Sequence, residues 1–396
     1  MIYLDNAATT PMRKEAFEKM LPYFTEYYGN PSGIYELSVK SAQAMEESRG
    51  HIASMLGAGA DEIYFTSGGT ESDNWALIGT AEMLRDKGNH IITTKIEHHA
   101  ILNTCRYLEK RGYRVTYLDV DEYGVVRINQ LKKSICKDTI LISIMTANNE
   151  IGTIQPIEEI GMIAAGNGIL FHTDAVQAFG HVAIDVNKAN IHMLSASGHK
   201  FGGPKGIGFL YVRNGINLPP FIHGGGQERK RRAGTGNVPS AVAMGEAARL
   251  CKERFSEEFN RTLKLKEYAI KRILREIPYS RLNGHRYKRL PGNMNFSFQF
   301  VEGEAVLALL DMKGICVSTG SACSTGQKEP SQVLTAIGLN DELMHGTIRI
   351  TLSELTTKNE IDLVINELKQ IIYRQRMMSD EYKEMVNPYS RYARRK

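Results

Sequence analysis

From the amino terminus to about Glu253, short apolar runs alternate with longer helical patterns, and this rhythm constrains the fold more than any other feature. Asp61-Glu-Ile-Tyr-Phe-Thr66, His90-Ile-Ile-Thr-Thr94, Thr139-Ile-Leu-Ile-Ser-Ile-Met145 and Gly168-Ile-Leu-Phe-His-Thr-Asp174 each read as a strand. Strands spaced by covering helices predict an α/β architecture, a mainly parallel sheet in a large domain. Beyond Glu253 a long charged amphipathic helix follows, then Asn293-Met-Asn-Phe-Ser-Phe-Gln-Phe300 with strict alternation, and later Gly346-Thr-Ile-Arg-Ile-Thr-Leu352. These predict a smaller α+β domain with an antiparallel sheet. The expected division is a large domain over 14–256, a small one over 1–13 and 257–380, and an irregular polar tail over 381–396.

Composition narrows the function classes. At roughly 150 residues per domain, 396 residues with 42% hydrophobic content suit about two globular domains. No apolar run approaches the roughly 20 residues of a membrane helix. Met1-Ile-Tyr-Leu-Asp5 lacks the basic and apolar regions of a signal peptide, so a cytoplasmic protein is expected. A net charge of +5 and one basic cluster, Arg229 to Arg232 between glycine-rich stretches, are too little to imply nucleic-acid binding.

The five cysteines are odd in number, scattered and without a CxxC pair, so neither a metal site nor a redox dithiol is expected. Cys105, Cys136, Cys251 and Cys316 read as buried small hydrophobes. Cys323 differs. It sits in Ser318-Thr-Gly-Ser-Ala-Cys-Ser-Thr-Gly326, a small polar stretch suited to an exposed loop, and is the candidate nucleophilic thiol.

Several polar residues fall where strands end, the edge at which α/β sheets present ligands. Lys200 closes Ser195-Ala-Ser-Gly-His-Lys200, and Asp174 with Gln177 follows the strand before it. A lysine that can condense with an aldehyde and a carboxylate that can face a pyridinium nitrogen together suit pyridoxal phosphate. Ser67-Gly-Gly-Thr-Glu-Ser72 precedes a helix expected over Asn74 to Leu84. It is either a phosphate cradle, through Gly69 and Thr70, or a structural turn. His98 either stacks on a ring and moves protons or caps a helix. Asn149 belongs to a polar Asn148-Asn-Glu150 run, and Arg349 interrupts an apolar strand. The arginine's forked donors suit a substrate carboxylate or an internal salt bridge.

These residues together resemble the cysteine desulfurases of the NifS and IscS type, in the class V aminotransferase group of fold type I pyridoxal phosphate enzymes. The resemblance runs from Tyr3-Leu-Asp-Asn-Ala-Ala-Thr-Thr-Pro11 through Gly29-Asn-Pro-Ser32, Thr66-Ser-Gly-Gly-Thr-Glu-Ser72, Glu97-His98, Asn148-Asn-Glu-Ile-Gly152, Asp174-Ala-Val-Gln177, Ser197-Gly-His-Lys200, Arg232-Ala-Gly-Thr-Gly-Asn237 and Ser321-Ala-Cys323 to Arg349. Tyr35 departs from it, standing where many members have histidine.

The resemblance implies roles. Lys200 would form the Schiff base with pyridoxal 5'-phosphate, Asp174 would pair with the ring nitrogen, Gln177 and Asn149 would orient the ring, and His98 would stack on it. Thr70, Ser197 and His199 would hold the phosphate, with Thr235 reaching the cofactor of a second subunit in a homodimer. Arg349 would take the carboxylate of L-cysteine, and Cys323, with His98 as its proton acceptor, would take the sulfur as a persulfide. The acceptor would be an iron-sulfur scaffold or a tRNA-thiolation enzyme. The competing reading is a selenocysteine lyase or another class V lyase or aminotransferase, which would depend less on Cys323.

Overall fold

The computed structural model of the chain describes residues 1–319 and 331–386. Its centre is a seven-stranded sheet in the order Ile63–Thr66, Gly208–Val212, Met193–Ser197, Leu170–Asp174, Thr139–Ser143, His90–Thr94, Arg114–Leu118. Only Gly208–Val212 runs against its neighbours. The other strands point the same way, so Thr66, Thr94, Ser143, Asp174 and Ser197 all end at one edge. Their near-continuous apolar character follows from helices covering both faces.

One turn at that edge begins earlier than the sequence suggests. The helix expected from Asn74 spans Gly69–Met83, which makes Gly69 part of its first turn. A Cβ on Gly69 would lie 2.5 Å from a Val176 methyl, so this helix start can sit against the Asp174 strand end only because the residue is glycine.

The long amphipathic helix spans Val238–Glu276, starting fifteen residues before Glu253. Its first half, with Ala241, Val242 and Ala248, is buried in the core under the large sheet. Its second half, with Ala269, Ile270 and Ile273, enters a separate core with Met294, Phe296 and Phe298. The boundary expected at 256 therefore falls inside one continuous helix.

The smaller sheet is antiparallel, in the order Thr347–Thr351, Asn293–Phe298, Ser280–Leu282. The alternation in Asn293–Phe298 does not mark a face open to water, because all six residues are buried. Much of its polar face is bonded internally: Asn283 Nδ2 donates to Asn295 Oδ1 and Ser297 Oγ, each at 2.8 Å, and Asn295 Nδ2 donates to the Glu150 carbonyl at 3.2 Å, while Asn283 Oδ1 and Asn293 Oδ1 have no partner among the described residues.

Other expectations are corrected by the packing. Residues 381–386, within the stretch expected to be irregular, belong to the helix Asp380–Val386, whose Tyr382 ring lies 5.7 Å from that of Phe300. The rest of the tail, 387–396, lies outside the described residues. Cys105 and Cys251 are buried, and burial pushes each thiol up to about 12. Cys316 is only half-buried, while Cys136 is exposed just past the helix Ile128–Ser134. A hydrogen bond from Thr139, helped by Arg114, lowers the Cys136 pKa. The arginines of the Arg229–Arg232 cluster are engaged by the chain itself, although Arg229 and Lys230 are exposed: Arg229 donates to the Ile63 carbonyl, Arg231 to that of Ile216, and Arg232 pairs with Glu71 at 2.8 Å. Among the described residues, no helix is long and apolar enough to cross a membrane.

Ile270 is fully buried where the long helix meets the small sheet. Ile270→Ala should cost about 2–5 kcal/mol of stability, read as a lowered urea midpoint by circular dichroism; an unchanged midpoint would show that this face does not carry the packing.

Candidate active site

The shared strand edge opens into a cleft of about 580 Å³. Lys200, Asp174, Gln177, Asn149, Gly69, Thr70, Ser197, His199, His98 and Arg349 all line it. Most arrive on strand ends or helix starts and Arg349 from the middle of Thr347–Thr351, so residues far apart in sequence converge. Thr235 is exposed and outside this lining. Cys323 lies outside the described residues.

The Lys200 amine closes a short turn, Gly198–Lys200, and donates to the Ala7 and Ala8 carbonyls at 2.6 and 2.8 Å. Gln177 donates to the same Ala7 carbonyl at 2.9 Å. Asp174 is held by the Val176 amide, which donates to its Oδ1 at 2.8 Å. Burial pulls the Asp174 pKa up against opposing pulls from His98, that amide and Lys200.

His98 satisfies both readings of the sequence. It lines the cleft, and it also caps the helix His99–Glu109, its Nδ1 accepting from the Ala100 amide at 3.1 Å. Burial lowers its pKa, so the ring is neutral near pH 7, and with Nδ1 accepting, the proton is assigned to Nε2. In this pose His98 is a donor toward the cleft. Accepting the Cys323 proton, as the sequence reading expected, would require the ring to give up its cap.

The opposite end of the cleft has anion chemistry. The first turn of Gly69–Met83 carries backbone amides with no intrahelical acceptor, beside Ser197 and Thr70. His199, bonded to Thr9 Oγ1 at 3.0 Å, is pushed down to about 4 by burial, with Lys200 and Lys205 adding to the effect. Lys205 also lines the cleft.

Arg349 is 2% exposed. Its NH2 pairs with Asp5 at 2.8 Å and its NH1 donates to the Asn149 carbonyl at 3.2 Å, while Nε has no partner among the described residues. The salt bridge and the place in the cleft both hold. Both sides of residues 320–330 are tied nearby. Ser318 exchanges backbone hydrogen bonds with Arg349, and Ser331 Oγ donates to the buried Glu150 carboxyl at 2.5 Å.

Sequence reasoning gave no role to Asp5, Asp73 or Glu97, and read Glu150 only as part of a polar run that could orient a ring or a carboxylate. Asp73 lines the cleft, and one of its oxygens, one oxygen of Asp174 and a ring nitrogen of His98 all lie within 4.8 Å of one another. A signal existed: Asp73 stands four residues after Gly69, on the same helix face. Glu97 accepts from Thr94 Oγ1 at 2.6 Å and from the Met145 amide, and burial raises its pKa to about 8.

Comparison with known proteins agrees with this geometry. Residues 2–364 match the family described as aminotransferase class V. A cysteine desulfurase IscS of Methanosarcina thermophila is 56% identical over 379 residues, covering 96% of this chain and 93% of the relative. One from Dictyoglomus turgidum is 51% identical, covering 96% of each. A solved NifS-like protein superposes with a TM-score of 0.89 at 37% identity over 94% of this chain and 99% of its own. A structure described as SspA in complex with cysteine gives 0.81 at 39%, over 90% and 100%. The chain thus belongs to the class V aminotransferase family, among the fold type I cysteine desulfurases of the NifS and IscS type.

Proposed function

We propose that the chain is a pyridoxal phosphate-dependent cysteine desulfurase that converts L-cysteine to L-alanine and takes the sulfur as a persulfide on Cys323. The observation that carries the reading is that Lys200, Asp174, an amide-rich helix start and Arg349 face one cleft. The residues fit the cofactor. The Lys200 amine can hold an aldehyde, the Asp174 carboxylate can face a ring nitrogen, and the turn at Gly69, with Thr70, Ser197 and His199, can hold a phosphate. When bound, pyridoxal phosphate supplies a ring that accepts the negative charge developing on the substrate.

The chain's own groups do the rest. Arg349, held by Asp5 and the Asn149 carbonyl, presents its remaining donors to the L-cysteine carboxylate. The Lys200 amine, once released to the substrate's arrival, takes the proton from its α-carbon. Gln177 and Asn149 border the ring site, and His98 covers it with an Nε2–H available for donation. The Cys323 thiolate attacks the substrate sulfur: the S–S bond forms, the C–S bond breaks, and the carbon skeleton leaves as alanine after protonation. A thiol of ordinary pKa near 8.5 is only a few per cent ionised at pH 7, so the reaction needs a base or a neighbouring cation at Cys323.

The wider assembly follows. Thr235, exposed and away from its own cleft, is proposed to reach the phosphate of a second subunit, which makes the enzyme a homodimer. Two of the hydrophobic cores, one drawn mainly from Ala16 to Cys251 and one from Leu4 with Ala269 to Ile372, support a large domain over 14–256 and a small one over 1–13 and 257–380. The relatives' shared name supports delivery of the persulfide sulfur to an iron-sulfur scaffold, with a tRNA-thiolation enzyme as the other candidate acceptor.

Three measurements test this. Alanine and sulfide production from L-cysteine with a reductant should fall at least about 10³-fold in Cys323→Ser, with the yellow colour kept; equal activity would favour the selenocysteine lyase or another class V lyase. Lys200→Ala should release its chromophore on gel filtration, and retention would remove the covalent role. Asp5→Asn, which leaves Arg349 without its anionic partner, should raise KM for L-cysteine about tenfold, or ~1.4 kcal/mol, with kcat changed less; an unchanged KM would mean that Asp5 does not orient the arginine.

A further inference from the structure

The floor of the cleft holds one more carboxyl than the chemistry above uses. Asp73, in the helix Gly69–Met83, is 1% exposed, and its Oδ1 has no hydrogen-bond partner among the described residues. One of its oxygens lies within 4.8 Å of an Asp174 oxygen and of a His98 ring nitrogen. A base is also near: His172 Nε2 is 3.7 Å from Asp73 Oδ1. That ring is fully buried and bonded to Ser143 Oγ at 2.9 Å and Ser195 Oγ at 3.0 Å. Burial pushes it down to about 3, so it brings no positive charge.

Two buried carboxylates at this separation need a cation each, or one of them keeps its proton. The groups that face Asp73 decide between these. From the Leu170–Asp174 strand come Asp174 and the neutral His172, and from the loop before His99–Glu109 come Glu97 and the neutral His98. Lys200, from its turn, is engaged by the Ala7 and Ala8 carbonyls. In the cofactor reading the ring nitrogen provides a single positive charge, and Asp174 takes it.

We propose that Asp73 is a positioning residue that keeps its proton in the resting enzyme, so that the Asp73–Asp174 pair presents one negative charge to the ring nitrogen; this rests on the pyridoxal phosphate reading. Burial, Asp174 and Glu97 all raise the Asp73 pKa, and only the Ser195 hydroxyl opposes them. As pH rises through that raised value the proton leaves and the pair becomes doubly negative. The ring nitrogen then holds its own proton more tightly. Two interacting acids of this kind titrate as a pair.

The test compares the purified holoenzyme with Asp73→Asn, which matches the protonated acid in shape but cannot ionise. Should that variant fail to fold, Asp73→Ser replaces it, since a hydroxyl can also donate and carries no charge. Difference infrared spectra at pH 7 should show one protonated-carboxyl band lost in the variant. The cofactor's visible absorption at pH 7 should be kept. Between pH 7 and 10 the parental absorption titration should be displaced from the variant's by at least about one pH unit. Coloured proteins with no infrared band lost, or with superimposable titrations, would overturn the role of Asp73 alone. A stoichiometric metal ion in the parental protein would overturn it too, by compensating the pair in another way. A parental protein without visible absorption would remove the cofactor reading, and this proposal with it.

Discussion

Arg349 joins four separate stretches of chain, two of them through its buried guanidinium and the others through its backbone. A guanidinium does not lose its charge on burial, so each of its contacts is obligatory. Asp5 brings the amino-terminal segment to it, the Asn149 carbonyl brings the end of a large-sheet strand, and the backbone of Ser318 pairs with its own. Its strand carries the small sheet through Asn293–Phe298. The closeness of the small sheet to the cleft therefore depends on satisfying one charge, and the same charge retains donors for a ligand carboxylate.

A second constraint comes from the parallel sheet. Strands that point one way put their polar ends at one edge, where each following turn adds a group: His98 after Thr94, Asn149 after Ser143, Lys200 after Ser197. The floor of that edge is dry. Burial keeps His172 neutral and raises Asp174, Asp73 and Glu97, so the site holds acids that are reluctant to ionise. Such a floor is matched to a ligand that brings positive charge with it.

Much of this was legible along the chain because the signals are local. Strand ends at Thr94 and Asp174 follow from short apolar runs, and the proposed site residues that line the cleft, apart from mid-strand Arg349, lie at or after such ends or at helix starts. Signals that depend on a partner misled. The alternation in Asn293–Phe298 resembles a half-exposed strand, yet Glu150, Asn283 and Thr347 cover its polar face. The polar stretch after Ser379 resembles a tail, yet Tyr382 finds Tyr279 and Phe300. Cys136 resembles a small core residue, yet the helix before it ends too soon to cover it.

The sequence by itself determined the sheet-and-helix rhythm, the family and the residue types of the site, because propensity, periodicity and motif spacing act over a few residues. Only the tertiary structure decided which acids share the cleft floor, that His98 Nδ1 caps a helix, and that Arg349 is held by Asp5. Each of these depends on burial and on groups brought together from distant segments, and neither quantity is written in local order.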